Sequence, residues 1–137
     1  MHYAAFDDLG PLLQPMIAAG QIHGGVAQGI GQALHECFQY DRDAAQPIST
    51  TFLDYQLPRA ADLSHIGGCM LESPAHGTEL GVRGAGEAGA MASMTAVVNA
   101  VADAIGGSTC LEPPLTPNRV WQYLAAQGTR SNCRDPL

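Results

Sequence analysis

Four glycines, Gly24, Gly25, Gly29 and Gly31, interrupt a stretch whose apolar pattern is otherwise helical. From about Met16 to Cys37, Ile22, Val26, Ile30, Ala33/Leu34 and Cys37 recur at helical spacing. Each interior glycine weakens a helix by about 0.5–1 kcal/mol relative to alanine. Four of them would spoil this helix if it stood alone. It can form only where something packs closely against its backbone, or where its first turn opens onto a ligand.

The remaining elements follow from periodicity and punctuation. Residues 2–6 read as a short strand, closed by the acidic turn Asp7-Asp8-Leu9-Gly10, with Pro11 and Pro15 marking the helix start. "YDRDAAQPIST" (40–50) is turn-like. Leu53, Tyr55 and Leu57 alternate with Asp54 and Gln56, which predicts a strand stopped by Pro58. Residues 68–73 predict another strand, ended by Pro74, and a long glycine-rich loop follows. After Glu87, the steps Met91, Met94, Val98, Val101, Ile105 predict a helix that stops at Gly106-Gly107. Thr116 and Pro117 open a last helix through Val120, Trp121 and Leu124, ending near Gly128. The expectation is an α+β fold, a small mixed sheet packed on helices, over residues 1–128, with a flexible tail at 129–137.

Charge removes several functions. The net charge is −7 with six Lys plus Arg, which disfavours nucleic acid and anionic membrane surfaces. Only 14% of residues are charged, so part of the surface is expected to lie against other protein. Cys37, Cys69, Cys110 and Cys133 are scattered without zinc or iron–sulfur spacing and read as reduced thiols. The first residues carry no signal-like pattern and no apolar run approaches a membrane span, so the cytoplasm is the expected compartment.

Two stretches hold candidate chemistry. In Gly84-Ala85-Gly86-Glu87 the plain reading is a turn whose acid caps the next helix. The sharper reading is a carboxylate poised beside a bound group that glycine backbone approaches. In "GQIHGGVAQGIGQ" (20–32), His23 reads as a hydrogen-bonded, partly buried histidine. The Gln21 amide, donor and acceptor at once, suits the edge of a heterocycle. Ser73 and Ser93 have no partner base and read as structural, and no metal-ligand spacing is found.

Four segments then converge: "GQIHGGVAQGIGQALHE" (20–36), "TFLDYQLPRA" (51–60), "GVRGAGEAG" (81–89), and "NAVADAIG" with "PLTPNRVW" (99–106, 114–121). In this order they closely resemble the C-terminal end of the large, molybdenum-binding subunit of molybdenum hydroxylases. That family includes xanthine dehydrogenase, aldehyde oxidoreductase and carbon monoxide dehydrogenase. The likeness runs over about residues 3–125.

The resemblance implies half of a molybdopterin-binding domain. It makes Glu87 the catalytic base beside molybdenum, taking a proton from a metal-bound hydroxyl while hydride leaves the substrate for a sulfido ligand. It makes Gln21 a pterin hydrogen-bonding residue, with Gly24, Gly84, Ala85 and Gly86 at the cofactor. No residue of this chain is expected to ligate metal. Arg83 stands where the family commonly has lysine.

Iron–sulfur clusters and FAD would belong to partner subunits, and the missing molybdenum-subunit segments would complete the site. Plain pterin and its cytosine dinucleotide form both stay open, as does the choice between an aldehyde and an N-heterocycle as substrate. The alternative is a non-catalytic remnant that self-associates and binds no molybdenum. A homo-oligomer is expected if the chain stands alone.

Overall fold

The computed structural model describes residues 2–63, 65–107 and 111–131, with side chains described through residue 127. Its elements are β1 (Tyr3–Asp8), α1 (Pro15–Leu34), β2 (Ile66–Leu71), α2 (Ala88–Ala104) and α3 (Pro117–Ser131), plus one 3-10 turn at Ala60–Asp62. The α+β class stands. The sheet is smaller than expected: β1 and β2 pair in parallel, from Tyr3 opposite Ile66 to Asp8 opposite Leu71.

Residues 51–57 do not form the expected strand. The Asp54 and Tyr55 amides donate to the Thr51 carbonyl at 3.1 and 2.8 Å, and the Thr51 hydroxyl donates to Asp54 Oδ2 at 2.9 Å. Short polar side chains here bond locally and outcompete extension. Among the described residues no strand lies alongside, and Leu53 is 96% exposed. The alternation was real, but neither of its faces meets this chain's own core.

The glycines of α1 find a partner helix. A Cβ on Gly25 would stand 2.7 Å from the Ala90 nitrogen and 3.0 Å from Gly89 Cα, and one on Gly89 would overlap the Ile22 carbonyl oxygen. One on Gly29 would strike Ser93, whose buried hydroxyl donates to the Ala90 carbonyl at 3.2 Å. Close approach of two backbones is thus what these positions secure. The α2 face against α1 is Gly89, Ser93 and Val97, an i, i+4, i+8 row of small residues.

Of the expected α2 stripe, Met94 and Val98 flank that row half-buried, while Met91 is 78% exposed. Residue size misled the periodicity: the tightest contact is made by the smallest side chains. Gly31 serves elsewhere, its hydrogens turned toward Pro58 and Glu36.

Leu9, Ile22, Val26, Ile30, Ala33 and Val97 form the core, with Tyr3, Ala5, Ile66 and Met70 packed onto it from the sheet. Val26 and Val97 are almost wholly buried, each contributing about 1.5–3 kcal/mol by leaving water. The end of α1 accepts the chain before α3, the Leu115 amide donating to the Ala33 carbonyl at 2.6 Å. Thr116 caps α3 as expected, its Oγ1 accepting the Arg119 amide at 3.4 Å. The helix continues past Gly128 to Ser131. Cys110, Cys133 and residues 132–137 of the expected tail lie outside the described residues.

Candidate active site

The site is built where β1 ends and α2 begins. β1 delivers Asp7 and Asp8, and Gly10 turns the chain with φ +66° against the Gly81 carbonyl, a contact that a Cβ would forbid. The following loop returns past this turn, and the Arg83 amide donates to the Leu9 carbonyl at 3.0 Å. Ala85 and Ala88 then pack against the core. Glu87, between them, is the N-cap residue of α2, and its carboxylate makes no capping hydrogen bond. The plain reading of that acid is therefore met in position and not in bonding.

Glu87 is exposed on an open hollow of about 470 Å³, lined also by Asp7, Asp8, Gly84, Gly86 and Met91. The three carboxylates differ in how they are held. Asp8 is bound inward: Oδ1 accepts the Ser73 amide at 2.9 Å and the Gly10 amide at 3.2 Å, and Oδ2 lies 3.6 Å from Arg83 Nε. The Ser73 amide first, then that of Gly10 and the Arg83 charge, holds its carboxyl below the usual aspartate range. The carboxylates of Asp7 and Glu87 have no hydrogen bond or ion pair among the described residues, whereas the Glu87 backbone carbonyl accepts the Ala90 and Met91 amides at 3.0 and 3.2 Å.

Gly84, Gly86 and Glu87 thus come together as expected, while Ala85 turns inward and backs the loop. Gln21 and Gly24 are exposed on α1 and do not line this hollow. They flank the contact of Ile22 with Gly89, two residues beyond Glu87. His23 departs from expectation. It is exposed, not partly buried, and borders a separate hollow of about 160 Å³ beside Asp7 and Cys69. Among the described residues no hydrogen bond or ion pair reaches it. Ser73 and Ser93 are structural as read: one amide anchors to Asp8, and one hydroxyl is sealed between helices.

The glycines test whether a cofactor fits. A Cβ on Gly24, Gly84 or Gly86 would meet nothing within 4 Å, and none of these has a positive φ. Nothing among the described residues requires glycine there, so the smooth surface they leave suits a group approaching from outside. The acidic hollow suits the metal end of such a cofactor. It does not suit a phosphate, because its lining holds no cation and Arg83, four residues before Glu87, is turned back onto Ser73 and Asp8.

The chain is similar to known proteins over most of its length. A family profile described as a molybdopterin cofactor-binding domain matches residues 1–64, which include Gln21 and Gly24 and stop before Glu87. The nicotine 6-hydroxylase large subunit of Paenarthrobacter nicotinovorans is 42% identical over 121 residues, covering 83% of this chain and 14% of that subunit. The carbon monoxide dehydrogenase large chain of Hydrogenophaga pseudoflava is 33% identical, covering 89% of this chain and 15% of its own length. Quinoline 2-oxidoreductase from Pseudomonas putida 86 superposes with a TM-score of 0.79 at 37% identity, over 89% of this chain and 16% of that one.

The chain belongs to the molybdenum hydroxylase family. Within it, the chain corresponds to a segment of the molybdenum-binding large subunit, and it spans 14% to 15% of the length of the curated relatives above.

Proposed function

We propose that this chain forms part of a molybdenum hydroxylase and supplies the base Glu87 for oxidative hydroxylation of an aldehyde or N-heterocycle, with water as the oxygen source. One observation carries the reading. At the mouth of a glycine-lined hollow, Glu87 stands exposed beside Gly84 and Gly86 with its carboxylate unbonded among the described residues, as is that of the half-buried Asp7, while Asp8 is fully engaged. A base needs a free lone pair within reach of the proton it removes.

Molybdopterin with molybdenum, when bound, supplies the two-electron redox chemistry. This chain's residues do the rest. Gly84 and Gly86 let the cofactor come close to backbone, and Ala85 fixes the loop from behind. Gln21 offers amide donors and an acceptor to the pterin edge, and Gly24 leaves room beside it. Glu87 takes up a proton from the water-derived group that attacks the substrate carbon. Arg83, committed to Asp8 and Ser73, leaves the hollow free of positive charge that would weaken the base.

The remaining segments of the molybdenum subunit would close the open side, with iron–sulfur and FAD subunits beyond them. Exposed apolar side chains such as Met91, Trp121, Phe52 and Leu53 suit that assembly. No helix among the described residues is long and apolar enough to cross a membrane, and a cytoplasmic place of action is part of the proposal. Self-association without molybdenum is the competing reading, favoured by the few contacts a half-open hollow can make. Purification from the native source with metal and pterin analysis decides between them. Near-stoichiometric molybdenum in a complex containing this chain supports the proposal; absence of molybdenum from both isolated and co-expressed chain overturns it.

A further inference from the structure

We propose that Asp8 and Arg83 form a clamp that positions Glu87, making both of them positioning residues for the reaction. The inference rests on the reading of Glu87 as the base. The loop between β2 and α2 is tied twice to the end of β1. Where it leaves β2, the Ser73 amide donates to Asp8 Oδ1 at 2.9 Å. Where it returns, the Arg83 amide donates to the Leu9 carbonyl at 3.0 Å, and Arg83 Nε donates to the Ser73 carbonyl at 3.1 Å while lying 3.6 Å from Asp8 Oδ2. Asp8 also fixes the turn itself through the Gly10 amide at 3.2 Å.

Between Arg83 and Glu87 the bracing is sparse. Among the described residues no hydrogen bond holds Gly84, Ala85 or Gly86, and a Cβ on either glycine would touch nothing within 4 Å. Beyond the packing of Ala85 and Ala88 on the core, placement of Glu87 depends on two fixed ends, the clamp at Arg83 and the seat of Gly89 on Ile22. The ion pair is partly exposed, with side chains 43% and 32% accessible, so its Coulomb attraction contributes little by itself. Its value is directional: one guanidinium is held by two acceptors on the strand and on the outgoing loop, and this sets the loop's path to Glu87. A displacement of the base by about 1 Å is enough to cost on the order of 100-fold in rate.

The test uses the assembled complex with Asp8→Ala, Arg83→Met, Arg83→Lys and Glu87→Gln. Amide hydrogen exchange at Gly10, Ser73 and Arg83, whose amides the clamp bonds, is read beside kcat, KM and molybdenum content. The clamp predicts roughly tenfold faster exchange at those amides, unchanged exchange in α1, and a 10- to 100-fold fall in kcat at unchanged KM for Asp8→Ala and Arg83→Met. Arg83→Lys, whose ammonium still reaches Asp8, should restore most of both. If Asp8→Ala does not assemble, Asp8→Asn replaces it and should give a smaller change of the same sign.

Wild-type exchange in both disruptive variants, or faster exchange with wild-type kcat, overturns the clamp. Glu87→Gln should lose turnover with exchange unchanged. Should Glu87→Gln retain turnover, the base reading fails, and the exchange data alone judge the clamp.

Discussion

Gly24 and Gly25 are neighbours on α1 with opposite surroundings. Gly25 faces the backbone of Gly89 and Ala90, which cannot yield, so Gly25→Ala is expected to destabilise the chain by about 1–3 kcal/mol in urea titration. Gly24 faces open space, so Gly24→Ala should raise stability by about 0.5–1 kcal/mol through helix propensity. The same substitution should lower the pterin content of the complex, because the added methyl occupies the smooth surface proposed for the cofactor. Pterin content unchanged by Gly24→Ala would remove Gly24 from the site. At this scale Gly84, Gly86 and Glu87 were legible because they are consecutive in the chain. Asp7 and Asp8 were not, being some eighty residues away in sequence and brought in by the parallel pairing of β1 with β2 and by the return of the loop onto Leu9 and Gly10. Their signal was the acidic Asp7-Asp8-Leu9-Gly10 segment, which reads as a surface turn until Gly10 is seen against Gly81.

The elements follow the pattern of hydrophobic spacing wherever a partner lies within the chain. α1 and α2 were readable, and the glycine load of α1 foretold the close crossing. The face of α2 was misplaced because Gly89 and Ser93 carry almost no hydrophobic signal, yet they make the contact. Residues 51–57 show the converse: alternation without a neighbouring strand leaves a turn closed by Thr51. The β2–α2 loop also carries a pH dependence. The Ser73 amide, with help from Gly10 and Arg83, holds the Asp8 pKa below its ordinary 3.8. Its anchoring is therefore complete above the unfolded value and is lost as pH falls through the lower folded one. Amides of Gly10 and Ser73 should lose protection, relative to a pH-corrected intrinsic rate, as pH drops from about 6 to about 2, ahead of the α1–α2 amides. Equal loss in both sets would show that Asp8 is not what holds the loop.

Across the whole molecule, large apolar side chains stand exposed, Phe52, Leu53, Met91 and Trp121 among them. A groove of about 710 Å³ runs between Val97 and Val101 of α2, with Ile105 just beyond its end, and Val120, Trp121 and Leu124 of α3, and Trp121 is 67% exposed. The isolated chain is expected to self-associate with rising concentration, and Trp121→Glu should weaken that association without changing the α1–α2 contact. Sedimentation velocity across a concentration series checks this; a monomer at all concentrations for the unmodified chain would speak against a surface made to be covered. The account as a whole is tested most directly by turnover of the Glu87→Gln complex, measured beside its molybdenum content. It predicts molybdenum at the unmodified level with turnover reduced by at least about a thousandfold. Full molybdenum with turnover within a few fold of the unmodified complex would contradict it.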